Sequence, residues 1–282
     1  MGFVINNNLA ANTSYRNLNA TQGDLSKSLE KLSTGLRINR AGDDAAGLSI
    51  SEGLKAQITG SAQASRNAQD GISVIQTTEG ALTEVHSILQ RVRDLAVQAG
   101  NDSNNVESRK AITAEATSLV SELDRMSSST NFNGIKLLDK SAGTAGVMSL
   151  QVGAGTADQI TVDLTGADIK TLAAGLKTDI ITTDGFASST AAATTISKLD
   201  TAIGTVSSAR AGLGATQNRL EHTVKALNIA GENLQAAQSR IADVDMASEM
   251  VKFTKANILS QAGTAMLAQA NQSSQGVLSL LR

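Results

Sequence analysis

The chain has 282 residues, a formal net charge of −2, no cysteine and no proline. Without cysteine there is no disulfide framework and no thiolate metal site, and no basic patch or acidic run marks a nucleic-acid partner or a charged tail. Hydrophobic residues make up 41% but aromatics only 2%, so Leu, Ile, Val and Ala must carry the burial, which suits thin helix packing.

At the N-terminus, MGFVINNNLAANTSY contains the one tyrosine, Tyr15, and lacks the basic then apolar run of a cleaved signal peptide. No window approaches the ~20 apolar residues of a membrane span. Membrane insertion is therefore not expected, and any export would use a route without such a signal. Leu18, Leu25, Leu29, Leu32 and Leu36 recur at spacings of 7, 4, 3 and 4, the pattern of a coiled-coil seam. It stops in residues 37–44, a polar stretch with Gly42 that reads as a linker.

A second helical pattern starts near Asp44 and runs through Ala68, Ile72, Ile75, Leu82, Val85, Leu89, Val92, Ala96 and Ala99. Without proline nothing breaks it, and a continuous helix to Gly100 would extend ~85 Å at 1.5 Å per residue. GNDSNN, residues 100–105, predicts a reversal. A shorter helix follows, with Ile112, Ala116, Leu119, Leu123 and Met126 on one face.

The pattern changes between about 129 and 195. Residues 131–134 read as a turn, and Ile160, Val162 and Leu164 alternate with polar residues as in a half-buried strand. Gly153, Gly155, Gly166, Gly175 and Gly185 punctuate the stretch, and residues 187–195 form a Ser/Thr/Ala tract, which together predict a small β element with exposed loops. From Leu199, steps of 4 and 3 reach Val206, Leu213, Leu220, Val224, Leu227 and Leu234 before Ile241, a second seam whose polar interruptions suit register setting. After Ile241 the phase slips, then resumes through Val244, Val251, Ile258, Ala262 and Ala265.

Two terminal segments of similar length thus carry apolar stripes beyond a break. Such stripes gain most of their stability from a partner; the expected partners are each other and copies of the same chain, whose head-to-tail contacts give filaments.

Residues 17–47, NLNATQGDLSKSLEKLSTGLRINRAGDDAAG, resemble the N-terminal signature of bacterial flagellins, and residues 65–101, ending QRVRDLAVQAGN, continue it. On the C-terminal side GATQNRL, SRIADVDMASEM, ILSQAGTAMLAQANQ and VLSLLR match as well. The resemblance implies a mainly α fold: long antiparallel helices forming a discontinuous terminal coiled coil plus a helical bundle domain, with a small β element in the middle. Residues 1–42 and 241–282 would be the inner assembly domain. Residues 43–140 and 195–240 would be the bundle around it, and residues 141–194 a short variable region facing solvent.

The function so implied is a secreted, self-polymerising subunit of the extracellular flagellar filament. Its implied partners are itself, the flagellar cap and hook–filament junction proteins, the export apparatus, and a cytoplasmic chaperone at the C-terminal segment. The residues expected to carry assembly are Leu18, Leu25, Leu29, Leu32, Leu36, Val244, Val251, Ile258, Ala262, Leu278 and Leu281. The vertebrate Toll-like receptor for flagellin reads the family's QRVR motif, which points to Arg91, Leu95 and, on the next helix, Glu115. Against that, Arg91 and Glu115 could be a solvated face and Leu95 a residue beside the seam. Val277, Leu278, Leu280 and Leu281 resemble the segment sensed by cytosolic inflammasome receptors, although their plainer role is burial in the inner tube.

Enzyme chemistry finds little support. His86 and His222 are the only histidines and supply too few ligands for zinc; no H-E-x-x-H occurs, and Gly212, Gly214, Gly153 and Gly155 do not complete a phosphate loop. No cofactor is expected. Asp43 and Asp44 stand where a helix begins and read as caps rather than a catalytic pair. Ser188, Ser189, Thr190, Thr194 and Thr195 are possible O-glycosylation acceptors if their tract is an exposed loop. The rival readings are a hook–filament junction protein with related termini, and a secreted module or enzyme with coiled-coil arms.

Overall fold

The computed structural model describes residues 8–280, with side chains through 272 except at residue 182. Six helices dominate: α1 (Leu9–Thr34), α2 (Ala45–Ala99), α3 (Val106–Ser129), α4 (Ile169–Lys177), α5 (Ser189–Ala242) and α6 (Met246–Leu280). Between α3 and α4 lie two hairpins, β1 (Asn131–Phe132) with β2 (Ile135–Lys136) and β3 (Val147–Gln151) with β4 (Gln159–Asp163), both antiparallel. The chain divides into two compact units, residues 1–56 with 233–282, and residues 57–232.

Local chemistry sets the helix ends. The Asn8 side chain accepts from the Ala11 amide and starts α1, and Gly35, at φ 73°, closes it in the left-handed conformation glycine tolerates. The linker is then held by Asp43, which accepts the Asn39 and Arg40 amides, and by Asp44, whose carboxylate accepts the Gly47 amide and caps α2. The Asn105 side chain, at the end of the expected reversal, caps α3 on the Ser108 amide. In the β1–β2 hairpin Asn133 and Gly134 both have positive φ, as a tight two-residue turn requires.

In the unit formed by residues 57–232, α2 and α5 run antiparallel. Arg93 pairs with Asp200, and Glu79 with Arg210 further back along α2. The core draws Ile75, Leu82, Leu89 and Ala96 from α2, Ile112, Ala116 and Leu123 from α3, and Leu199, Val206, Leu213 and Leu220 from α5. Ile160 and Val162 are the buried members of β4, whose alternation is as the sequence suggests. The β3–β4 hairpin lies on a stretch of α2 cleared by small residues. Leu150 occupies the space a side chain at Gly71 would need, Ala154 faces Gly60, and the Asn67 amide donates to the Gln151 carbonyl.

Residues 165–195 differ from the loops expected there. Ile169, Ala173 and Leu176 of α4 are buried, and a π turn, Thr178–Thr182, follows. α4 is too short for periodicity alone to distinguish it from a strand. The Ser/Thr/Ala tract starts α5: the Ser188 hydroxyl accepts the Ala191 amide, and residues 189–195 are already helical. Thr195 is buried and donates to the Gly185 and Ala191 carbonyls. Thr195 is therefore not an available glycosylation acceptor. Ser188, Ser189, Thr190 and Thr194 stand on a helix and its cap rather than on a loop.

Candidate assembly interface

The terminal unit is an antiparallel helix pair, α1 on α6. At one end a β-bridge ties Leu36 to Asp243: the Arg37 amide donates to the Ala242 carbonyl and the Val244 amide to the Gly35 carbonyl. The Arg37 guanidinium adds two bonds to the Ile241 carbonyl, satisfying an end group of α5 that has no helical partner. Ser28 and Glu249 meet across the pair, Leu18 lies against Gly263, and the Asn8 side-chain amide donates to the Ala270 carbonyl. These contacts belong to one antiparallel register.

On α1 a covered stripe runs through Ala11, Ser14, Leu18, Thr21, Leu25, Ser28 and Leu32, alternating steps of 3 and 4, with Glu30 and Lys31 half-buried beside it. On α6 the stripe runs through Glu249, Phe253, Ala256, Ser260, Gly263, Leu267 and Ala270, with the same rhythm, and Asn257 is half-buried next to it. Leu18, Leu25 and Leu32 thus hold the seam expected of them, and Leu36 and Val244, half-buried, flank the bridge. Leu29 does not hold it: it is 54% exposed, because Ser28 takes the inward position of that turn.

α6 carries the larger correction to the expected seam. Val251, Ile258 and Ala262 are not the stripe that meets α1; Val251 is 69% and Ile258 60% exposed. The inward stripe of α6 mixes Phe253 and Leu267 with Glu249, Ser260 and small residues, so hydrophobic periodicity finds the outward one instead. Met246, Met250, Leu259 and Met266 of α6 are also exposed. A helix with two apolar faces, one of them uncovered, is the form of an interaction surface. Leu281 lies outside the described residues, as does the side chain of Leu278.

Glu249 is the one buried ionisable side chain among the described residues. Its carboxylate accepts the Lys252 ammonium at 2.9 Å and the Ser28 hydroxyl at 2.7 Å. Lys252 first, then Ser28, hold its carboxyl below the ordinary glutamate range against the opposing effect of burial. Asp24, Lys27 and Lys31 of α1 and Lys255 of α6 line the same hollow.

In the other unit, the Arg91 guanidinium places Nε and Nη2 on one oxygen of Glu115, at 3.0 and 2.6 Å, and both side chains are about half exposed. Leu95 does not join them at the surface. It is 2% exposed and belongs to the core, so a receptor cannot touch it on the folded chain. No cluster of three or more metal-ligating side chains occurs among the described residues, and no described helix is long and apolar enough to cross a membrane.

Comparison with known proteins decides the family. Residues 5–143 match the bacterial flagellin N-terminal helical region, and residues 196–281 match the bacterial flagellin C-terminal helical region. A flagellin of Halalkalibacterium halodurans is 53% identical over 99% of this chain and 100% of its own length. The chain belongs to the bacterial flagellins. A flagellin of Bacillus subtilis is 51% identical over 99% of each chain. A putative flagellar hook-associated protein from Vibrio parahaemolyticus shares the fold, with a TM-score of 0.54 at 17% identity over 71% of this chain and 100% of that one. This flagellin is a structural subunit of the flagellar filament, and a short one at 282 residues.

Proposed function

We propose that this flagellin polymerises through the α1–α6 pair, with the outward stripe of α6 as the principal contact between copies. The observation that carries the reading is that stripe: Val251 and Ile258 are exposed on the face of α6 opposite its seam with α1. Burying a large aliphatic side chain is worth ~1.5–3 kcal/mol, so a few such residues per copy suffice to drive association. Leu29 joins the contact from α1, being exposed and off the seam. Leu278 and Leu281 also serve assembly in this reading.

In this reading the terminal pair forms the inner tube, residues 43–140 and 195–240 surround it, and residues 141–194 face solvent. The polymer is an extracellular filament used for swimming, and the chain has no catalytic role. The flagellar cap and junction proteins meet the filament ends, the export apparatus delivers the subunit, and a cytoplasmic chaperone covers the C-terminal segment beforehand. Arg91 and Glu115 are the surface positions offered to the Toll-like receptor, from free subunits. Ser188, Ser189, Thr190 and Thr194 are the remaining positions for sugar attachment.

Seeded or salt-induced polymerisation of the purified chain, viewed by electron microscopy, tests the reading. Long filaments of flagellar calibre support it. A soluble short complex that refuses to elongate would instead indicate a junction protein.

A further inference from the structure

Three of the six methionines stand exposed on α6: Met246, Met250 and Met266, at 49, 50 and 64%. Met246 and Met250 are one turn apart on one flank of α6, between its seam with α1 and the outward stripe, and Met266, two turns beyond Leu259, stands on the opposite flank. Met126 and Met148 are instead packed against the core of the other unit, and Met1 lies outside the described residues. The exposed thioethers are therefore concentrated on α6, on both flanks of the stripe that association would cover.

We infer that Met246, Met250 and Met266 are an oxidative modification site, open on the free subunit and closed in the polymer, whose sulfoxides block assembly. The inference rests on the assembly reading above. The reagent is a peroxide. The sulfur lone pair attacks one peroxide oxygen, the O–O bond breaks, and the departing oxygen takes up a proton to leave water or an alcohol. Sulfur is oxidised by two electrons to the sulfoxide and the peroxide is reduced. The product replaces a soft apolar side chain by a polar one, with a strong acceptor that an apolar contact between copies leaves without a donor. Leucine has similar volume and cannot be oxidised in this way, so replacing methionine by leucine separates the chemistry from the packing.

The test treats full-length protein with limiting hydrogen peroxide, maps sulfoxides by peptide mass spectrometry, and measures seeded polymerisation by sedimentation. In free subunits Met246, Met250 and Met266 react faster than Met126 and Met148, and the polymerising fraction falls by about tenfold, as a buried unpaired polar group implies. In pre-formed filaments the same three are protected. Methionine sulfoxide reductases acting on both epimers restore polymerisation. The triple variant M246L/M250L/M266L assembles untreated and keeps assembling after peroxide. Normal polymerisation of subunits oxidised at all three positions would overturn the inference, as would equal reactivity in subunits and filaments. Failure of the untreated wild-type chain to polymerise would overturn the assembly reading itself, which the untreated control reports separately.

Discussion

Ser28 of α1 donates its hydroxyl to the carboxylate of Glu249 on α6 at 2.7 Å, and both side chains are buried. A buried carboxylate persists only where its oxygens are satisfied, so this bond and the Lys252 pair are a condition of the helix pairing. Ser28→Ala leaves Lys252 in place but strips one oxygen of its partner, and should destabilise the terminal pair by about 1–3 kcal/mol. Hydrogen exchange of α1 and α6 amides measures it, with α3 amides unchanged as the internal reference.

The same carboxylate gives the pairing a pH dependence. Its folded-state value lies below its unfolded one, so its contribution is fully present above the ordinary glutamate value of about 4.3 and is lost as pH falls through the lower folded value. Asp24, Lys27 and Lys31 from α1 and Lys252 and Lys255 from α6 surround it. Glu249→Gln should lower stability near neutrality and flatten its acid dependence. Parallel acid titrations of helix content in wild type and variant should converge as pH drops.

Gly263 faces Leu18, whose Cδ1 stands 3.2 Å from where a Cβ on Gly263 would sit. Gly263→Ala requires only a small shift of Leu18, while Gly263→Val forces the helices apart. Overpacking of this sort costs about 1–3 kcal/mol. Leu18→Ala in the Gly263→Val background should recover part of the loss, and a double-mutant cycle on unfolding free energy would register the coupling.

Arg91 and Leu95 separate surface from core. The Arg91–Glu115 pair is exposed and worth less than about 1 kcal/mol, so Arg91→Ala should barely change melting. Leu95→Ala should cost about 2–5 kcal/mol. If receptor activation in a reporter assay depends on the surface, Arg91→Ala reduces it without loss of fold. Leu95→Ala reduces it only in step with unfolding.

Long elements were legible in the sequence because their signals were long: α2 and α5 announce themselves over many turns, residues 100–105 carry the polar and glycine residues of a chain reversal, and residues 37–44 those of a linker. The alternation of Ile160 and Val162 showed one strand of the middle. α4, at nine residues, and the start of α5 in a tract of Ser and Thr did not show; neither offers enough periods, and serine and threonine favour caps and turns as readily as helix. The seam of α6 was missed for a different reason. Glu249, Ser260 and Gly263 face α1 because close approach and a buried hydrogen bond put them there, while the aliphatics that draw the eye, Val251 and Ile258, face outward. Apolar periodicity finds the strongest stripe on a helix and does not say which partner covers it.

That outward stripe is the central claim, and seeded polymerisation of Ile258→Asp with circular dichroism on the same sample tests it most directly. Ile258 is 60% exposed on the free subunit, so the variant should keep wild-type helix content and form no filaments, and Leu29→Asp should do the same. Filaments of normal length and yield from Ile258→Asp would contradict the account.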